Sequence, residues 1–81
     1  MTRIDADLDT SGLKCPLPVL KARKCLIAMA PGTVLRLVAT DPASWLDVPH
    51  FCAQAGHTLL DARQDGDRRI YLIRRADPDR T

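Results

Sequence analysis

Apolar and acidic residues alternate near the start of the chain, in Ile4-Asp5-Ala6-Asp7-Leu8-Asp9. A period of two predicts a strand with Ile4, Ala6 and Leu8 inward and the aspartates outward. Thr10 to Lys14 reads as a loop. From Pro16 to about Ala30 the period lengthens to that of a helix. Val19, Leu20, Ala22, Leu26, Ile27, Met29 and Ala30 share one broad face, and Lys21 and Lys24 lie opposite. Arg23 falls inside the apolar arc. Its expected role is structural, with a packed stem and a guanidinium reaching an acidic partner or the sheet edge; a direct role beside Cys15 is the other option. Cys25 sits at the margin of the face and reads as packing. Pro31-Gly32 stops the helix. Thr33 to Ala39 is a second strand, with Leu35 and Leu37 toward the helices and Val34, Arg36 and Val38 on the other side.

Thr40-Asp41-Pro42 is the next turn, with the Asp41 carboxylate as a helix cap. A short helical turn through Ser44-Trp45-Leu46 is expected. Asp47-Val48-Pro49 then reads as a restart, with Asp47 as cap and Pro49 in the first turn. The second helix carries Phe51, Cys52 and Ala55 and ends at Gly56. His57 to Gln64 and Arg68 to Arg75 read as strands around an Asp65-Gly66 hairpin turn. Leu60, Ala62, Ile70 and Leu72 fit one face of that hairpin, and Leu59, Tyr71 and Ile73 the other. The order is βαβαββ. It predicts an α+β fold, a two-layer α/β sandwich with two helices on one face of a four-stranded mixed sheet. The open face would then carry Val34, Val38, Leu59, Tyr71 and Ile73, either as a patch for a partner or dimer or as a half-solvated sheet.

Eighty-one residues make one domain, expected over residues 1–76 with a flexible tail over 77–81. They leave no space for a substrate domain or an enclosed cofactor pocket, so no cofactor is expected. A net charge of +2 does not imply nucleic acid by itself. The opening Met1-Thr2-Arg3-Ile4-Asp5 is unlike a signal peptide and no apolar run has spanning length, which leads us to expect a cytoplasmic protein. Three cysteines, odd in number and irregularly spaced, argue against a disulfide framework. The set Cys15, Cys25, Cys52, His50 and His57 has no finger-like spacing, so no metal site is expected.

Chemistry concentrates in Lys14-Cys15-Pro16-Leu17-Pro18. Pro16 biases Cys15 toward the extended region, the backbone state that a helix N-cap needs. Pro16 at the first helical position and Pro18 in the first turn lack only N–H groups that the helix leaves free. The positive end of the helix, with Lys14 beside it, is expected to favour the thiolate; cysteines so placed have pKa values of roughly 3.5–7.5. Leu17 points away from the core and offers an apolar contact beside the sulfur. His50 and His57 are acid–base candidates for the thiol, with a solvated or hydrogen-bonded histidine the plainer expectation. Cys52, among Phe51, Ala53 and Ala55, reads as a buried inert thiol. Arg63, Arg68, Arg69, Arg74 and Arg75 read as a solvated face.

The stretch Leu8-Asp9-Thr10-Ser11-Gly12-Leu13-Lys14-Cys15-Pro16-Leu17-Pro18 resembles the signature of the TusA (SirA-like) sulfur-carrier family, whose mark is Cys-Pro-X-Pro at the start of the first helix. The resemblance continues through Arg23-Lys24, Pro31-Gly32, Thr40-Asp41-Pro42-Ala43, Asp47-Val48-Pro49, Phe51-Cys52, Gly56-His57 and Ile70-Tyr71-Leu72-Ile73. It implies the same βαβαββ sandwich. It further implies a sulfurtransferase-type carrier holding persulfide sulfur on Cys15 as the nucleophile. Lys14, Pro16, Pro18, Arg23 and Asp41 would support the site, and Leu17, Lys21 and His50 would meet partners. The implied donor is a cysteine desulfurase or rhodanese-like protein, and the implied acceptor a DsrE-type or other protein, serving tRNA thiolation, molybdenum-cofactor supply or sulfur oxidation. The carrier is expected as a monomer or weak dimer with no nucleic acid required. Leu17 stands where tRNA-thiolation members have an acidic residue, and His50 where a small residue is common. Two rival readings remain at this point: a small RNA-binding or regulatory module using the open sheet face and terminal arginines, and a thiol switch pairing Cys15 with Cys52.

Overall fold

The computed structural model describes residues 2–77. Six elements follow in the order β1 (Ala6–Thr10), α1 (Leu17–Ala28), β2 (Val34–Ala39), α2 (Ser44–Ala55), β3 (Thr58–Asp65) and β4 (Arg68–Arg74). The expected βαβαββ order and the α+β sandwich are both present. Four strands form one mixed sheet in the order β1-β2-β4-β3. β1 and β2 run parallel, and β4 is antiparallel to both of its neighbours. The tail expected over 77–81 lies, beyond Asp77, outside the described residues.

The core lies between sheet and helices. It joins Ala22 and Leu26 of α1, Leu35, Leu37 and Ala39 of β2, Val48, Phe51 and Cys52 of α2, and Tyr71 and Ile73 of β4. Burying one such aliphatic side chain stabilises by about 1.5–3 kcal/mol. Ala6, Leu8, Val19, Cys25 and Met29 pack at its edge. α1 buries a narrower stripe than its pattern suggests. Leu20 and Ile27 are 51% and 65% exposed, and Ala30 lies outside the helix and is exposed. An apolar arc drawn on a helical wheel is wider than the strip a flat sheet can cover, so its margins stay in solvent.

The hairpin faces are the reverse of the expected ones except at Ala62. Pairing of Leu35 with Ile73 and of Leu37 with Tyr71 puts those residues on the helix side. Leu59 and Ala62 join them there, and an irregularity between Leu59 and Asp61 breaks the alternation. Ile70 and Leu72 therefore line the open face, with Val38. Both faces of β4 are apolar in sequence, so alternation alone does not orient it; the register with β2 does. The open face mixes apolar and charged residues, as in the half-solvated sheet that was one of its two expected forms. A concavity of about 510 Å³ there is bordered by Asp7, Asp9, Asp61, Arg36, Arg63 and Arg68. Arg36 pairs with Asp7 and Arg63 with Asp61.

The second helix is also simpler than expected. α2 is continuous, with Pro49 inside it. There is no restart at Asp47, whose N–H bonds the Ala43 carbonyl at 3.0 Å. The Asp47 side chain is thereby freed from capping. Gly56 closes α2 in the left-handed conformation at φ 79°, a state natural to glycine. Near the start of α2, the buried Ser44 hydroxyl bonds the buried Tyr71 hydroxyl at 2.6 Å and pins the helix onto β4.

Candidate functional site

Two parallel strands ending side by side leave their following loops together, the usual place for a site in sheets of this kind. The β1–α1 loop carries Cys15, and the β2–α2 loop carries Asp41. They are tied at two points. The Gly12 N–H donates to the Thr40 hydroxyl at 2.9 Å, and the Cys15 N–H donates to an Asp41 carboxylate oxygen. The other Asp41 oxygen accepts the Ala43 N–H at 3.1 Å. Asp41 thus holds two loops rather than capping the first residue of α2. These two hydrogen bonds, with Lys14 and Arg69 nearby, keep its carboxyl below the ordinary range. Thr10, fully buried, anchors the end of β1 through its hydroxyl on the Val38 carbonyl at 2.6 Å.

Cys15 is exposed, as expected, but it is not the helix cap. The cap is Pro16, the Cys15–Pro16 bond is cis, and α1 begins at Leu17 with Pro18 buried in its first turn. The thiol is engaged from the far side. Its Sγ donates to Oδ2 of Asp47, the fourth residue of α2, at 2.6 Å. That bond first, then desolvation, then the negative charges of Asp47 and Asp41, push the Cys15 thiol above its ordinary value. The expected depression of its pKa is therefore corrected to a rise. The helix start offers the sulfur little: Leu17 N–H is spent on the Lys14 carbonyl at 2.9 Å, and Pro16 and Pro18 have no N–H at all. Two carboxylates outweigh what remains of the helix dipole.

Around the sulfur runs an open groove of about 270 Å³, lined by Cys15, Pro16, Leu20, Arg23, Asp47 and His50 among others. Arg23 is exposed at the groove edge and makes no ion pair among the described residues. Its expected structural role, with the guanidinium on an acid, is not seen; it faces the Cys15 groove instead. His50 is exposed in the same groove. Leu17, at the start of α1, is 45% exposed but does not line the groove. Lys21 is exposed on α1 but does not line the groove. Lys14 is exposed and acts electrostatically on Asp41.

The remaining candidates sit elsewhere. Cys52 is buried, and burial pushes its thiol up to about 11. Cys25 is half-buried with its Sγ 4.0 Å from the Met29 sulfur. His57 accepts the Ala76 N–H on Nδ1 at 2.9 Å and packs against Phe51, and burial lowers its pKa. Among the described residues no cluster of His, Cys, Asp or Glu is arranged to hold a metal, and no helix is long and apolar enough to cross a membrane. Asp47 is the neighbour of Cys15 that sequence reading missed. It reaches Cys15 from 32 positions away, and its place before Val48-Pro49 reads locally as a cap.

The chain is thus a small two-layer βαβαββ protein with an exposed cysteine, Cys15, lining an open groove. Known proteins resemble it in sequence and in fold. The family described as Sulfurtransferase TusA matches residues 6–75. Sulfur carrier protein TusA of Allochromatium vinosum is 43% identical over 76 residues, covering 94% of this chain and all of that one. The same-named protein of Pseudomonas paraeruginosa is 39% identical over 72 residues, 89% of this chain and 91% of its own. The crystal structure of a SirA-like protein from Desulfitobacterium hafniense shares the fold, with a TM-score of 0.76 at 20% identity over 89% of this chain and 99% of that one. The chain belongs to the TusA family of sulfur-transfer proteins.

Proposed function

We propose that this protein carries sulfur as a persulfide on Cys15. The observation that supports it most is the placement of Cys15: exposed, at the mouth of an open groove, on a loop fixed by Asp41, in a chain of the TusA family. Cys15 Sγ attacks the outer sulfur of a donor persulfide. A new S–S bond forms to Cys15, the donor's S–S bond breaks, and the donor cysteine leaves as a thiol. An acceptor thiolate then attacks the outer sulfur and returns Cys15 to the thiol. Both steps are thiol exchange without net redox change, governed by thiolate fraction and access. The open groove suits them, because two different partner sites must reach one sulfur.

The donor on this reading is a cysteine desulfurase or rhodanese-like protein, and the acceptor a DsrE-type or similar protein. Leu20 and His50 line the groove beside the sulfur and are contacts such partners meet first; Leu17 and Lys21, exposed on α1 outside the groove lining, offer further contacts beyond it. Lys14 and Arg23 supply positive charge near the persulfide. The RNA-binding alternative loses its footing, because the open sheet face mixes three aspartates with three arginines, two of them already paired. The Cys15–Cys52 switch is disfavoured by the burial of Cys52. Intact mass spectrometry after incubation with a cysteine desulfurase and cysteine tests the proposal. Wild type gains one sulfur atom and Cys15→Ser none; equal gain by Cys15→Ser sinks it.

A further inference from the structure

We propose that Asp47 is the proton acceptor of Cys15 in sulfur transfer. The inference rests on the persulfide reading above and adds a residue to it. Three observations carry it. Oδ2 of Asp47 already accepts the thiol proton at 2.6 Å. Asp47 stands on α2, which is pinned to the sheet by the Ser44–Tyr71 bond. It lines the open groove with Cys15, so base and nucleophile meet an incoming sulfur together. The other charged or titratable groups facing the pair are Asp41 and Lys14 from the loops, Arg23 from α1 and His50 from α2, with Tyr71 behind Asp47. Among the described residues none of these receives the thiol proton.

The step balances without an added reagent. As Cys15 Sγ bonds to the outer sulfur of R–S–SH, its S–H proton moves to Asp47 Oδ2. The R–S bond to the outer sulfur breaks with its electron pair on R–S⁻. That thiolate recovers the proton from Asp47. The sum is Cys15–SH plus R–S–SH giving Cys15–S–SH plus R–SH. A resting carboxylate is a weak base toward a resting thiol. During attack, however, Sγ becomes cationic in character and its proton strongly acidic, so a carboxylate suffices in the transition state. The empty carrier then stays protonated and guarded against stray electrophiles, yet reacts once a partner's sulfur occupies the groove. Loading also ends the contact, because Sγ in Cys15–S–SH has no proton to give.

The test compares two reactions of the same sulfur in Cys25→Ser/Cys52→Ser protein. Iodoacetamide needs only the free thiolate, whereas loading from glutathione persulfide, read by intact mass, uses the proton acceptor. In Asp47→Asn, alkylation at pH 7 is expected to rise severalfold, because a carboxylate no longer disfavours the thiolate. Loading is expected to fall about 100-fold or more, the range positioned bases supply. The wild-type to variant ratio of loading rates should grow toward acid pH, and Asp47→Glu should restore loading. Loading and alkylation moving together in Asp47→Asn, in either direction, overturns the role of Asp47. Asp47→Ser is read in parallel in case the Asn variant does not fold by circular dichroism. If wild type gains no sulfur, or Cys15→Ser gains it equally, the persulfide reading itself fails, which is a separate result.

Discussion

One buried hydrogen bond helps to fix α2 on the sheet, and with it Asp47. Ser44 and Tyr71 are 2% and 0% exposed, and their hydroxyls meet at 2.6 Å. Tyr71→Phe keeps the ring, and so keeps its edge contact with Trp45 at 5.8 Å. It leaves the Ser44 hydroxyl buried without its partner. An orphaned buried hydroxyl costs about 1–3 kcal/mol; Ser44 sits at the first turn of α2, where water can reach after slight fraying, so about 1–2 kcal/mol is expected. In a domain of this size each kcal/mol lowers Tm by about 4–8 °C. Ser44→Ala orphans the Tyr71 hydroxyl instead and falls in the same range. The double variant removes both groups, so its loss should equal roughly one single variant and not the sum. Urea unfolding followed by Trp45 fluorescence and by far-UV circular dichroism gives all four stabilities, with an unchanged m expected. A loss under about 0.3 kcal/mol in Tyr71→Phe, or additive singles, refutes the reasoning, since coupled sites depart from additivity by more than that.

Leu26, fully buried in α1, anchors that helix to the sheet, and Leu26→Ala is expected to lose about 2–5 kcal/mol in urea unfolding. Cys52 gives a pH signature. Its thiol lies at about 11 when folded against 9.0 as the ordinary value, so between those pH values the unfolded chain releases a proton the folded one keeps. Stability therefore falls as pH rises through that window, and Cys52→Ala should flatten the fall in a pH series of denaturant midpoints. The same burial predicts that Cys52 resists iodoacetamide at neutral pH until urea unfolds the chain, as peptide mass mapping will show.

Much of this was legible in the sequence, for identifiable reasons. The βαβαββ order followed from changes of period and from turn residues such as Pro31-Gly32, Gly56 and Asp65-Gly66, all local signals. The exposure of Cys15 and Leu17 followed from Cys-Pro-X-Pro opening a helix. What escaped was non-local. The orientation of β4 hinged on register with β2, because Ile70, Tyr71, Leu72 and Ile73 are all apolar. The continuity of α2 through Pro49 depended on the packing of Val48, Phe51 and Cys52, which outweighs the missing N–H. Most consequential was the direction of the Cys15 shift. The helix start and Lys14 argued for a thiolate, but folding brings Asp41 and Asp47 to the sulfur from 26 and 32 residues away.

The central claim is that sulfur travels on Cys15, and wild-type protein tests it without any substitution. Trypsin separates the three cysteines onto residues 15–21, 25–36 and 37–63. Protein loaded with radiolabelled sulfur from a desulfurase and labelled cysteine, alkylated and digested, should carry the label on the 15–21 peptide and lose it on treatment with excess thiol. Label found on 25–36 or 37–63, with 15–21 unlabelled, would contradict the account.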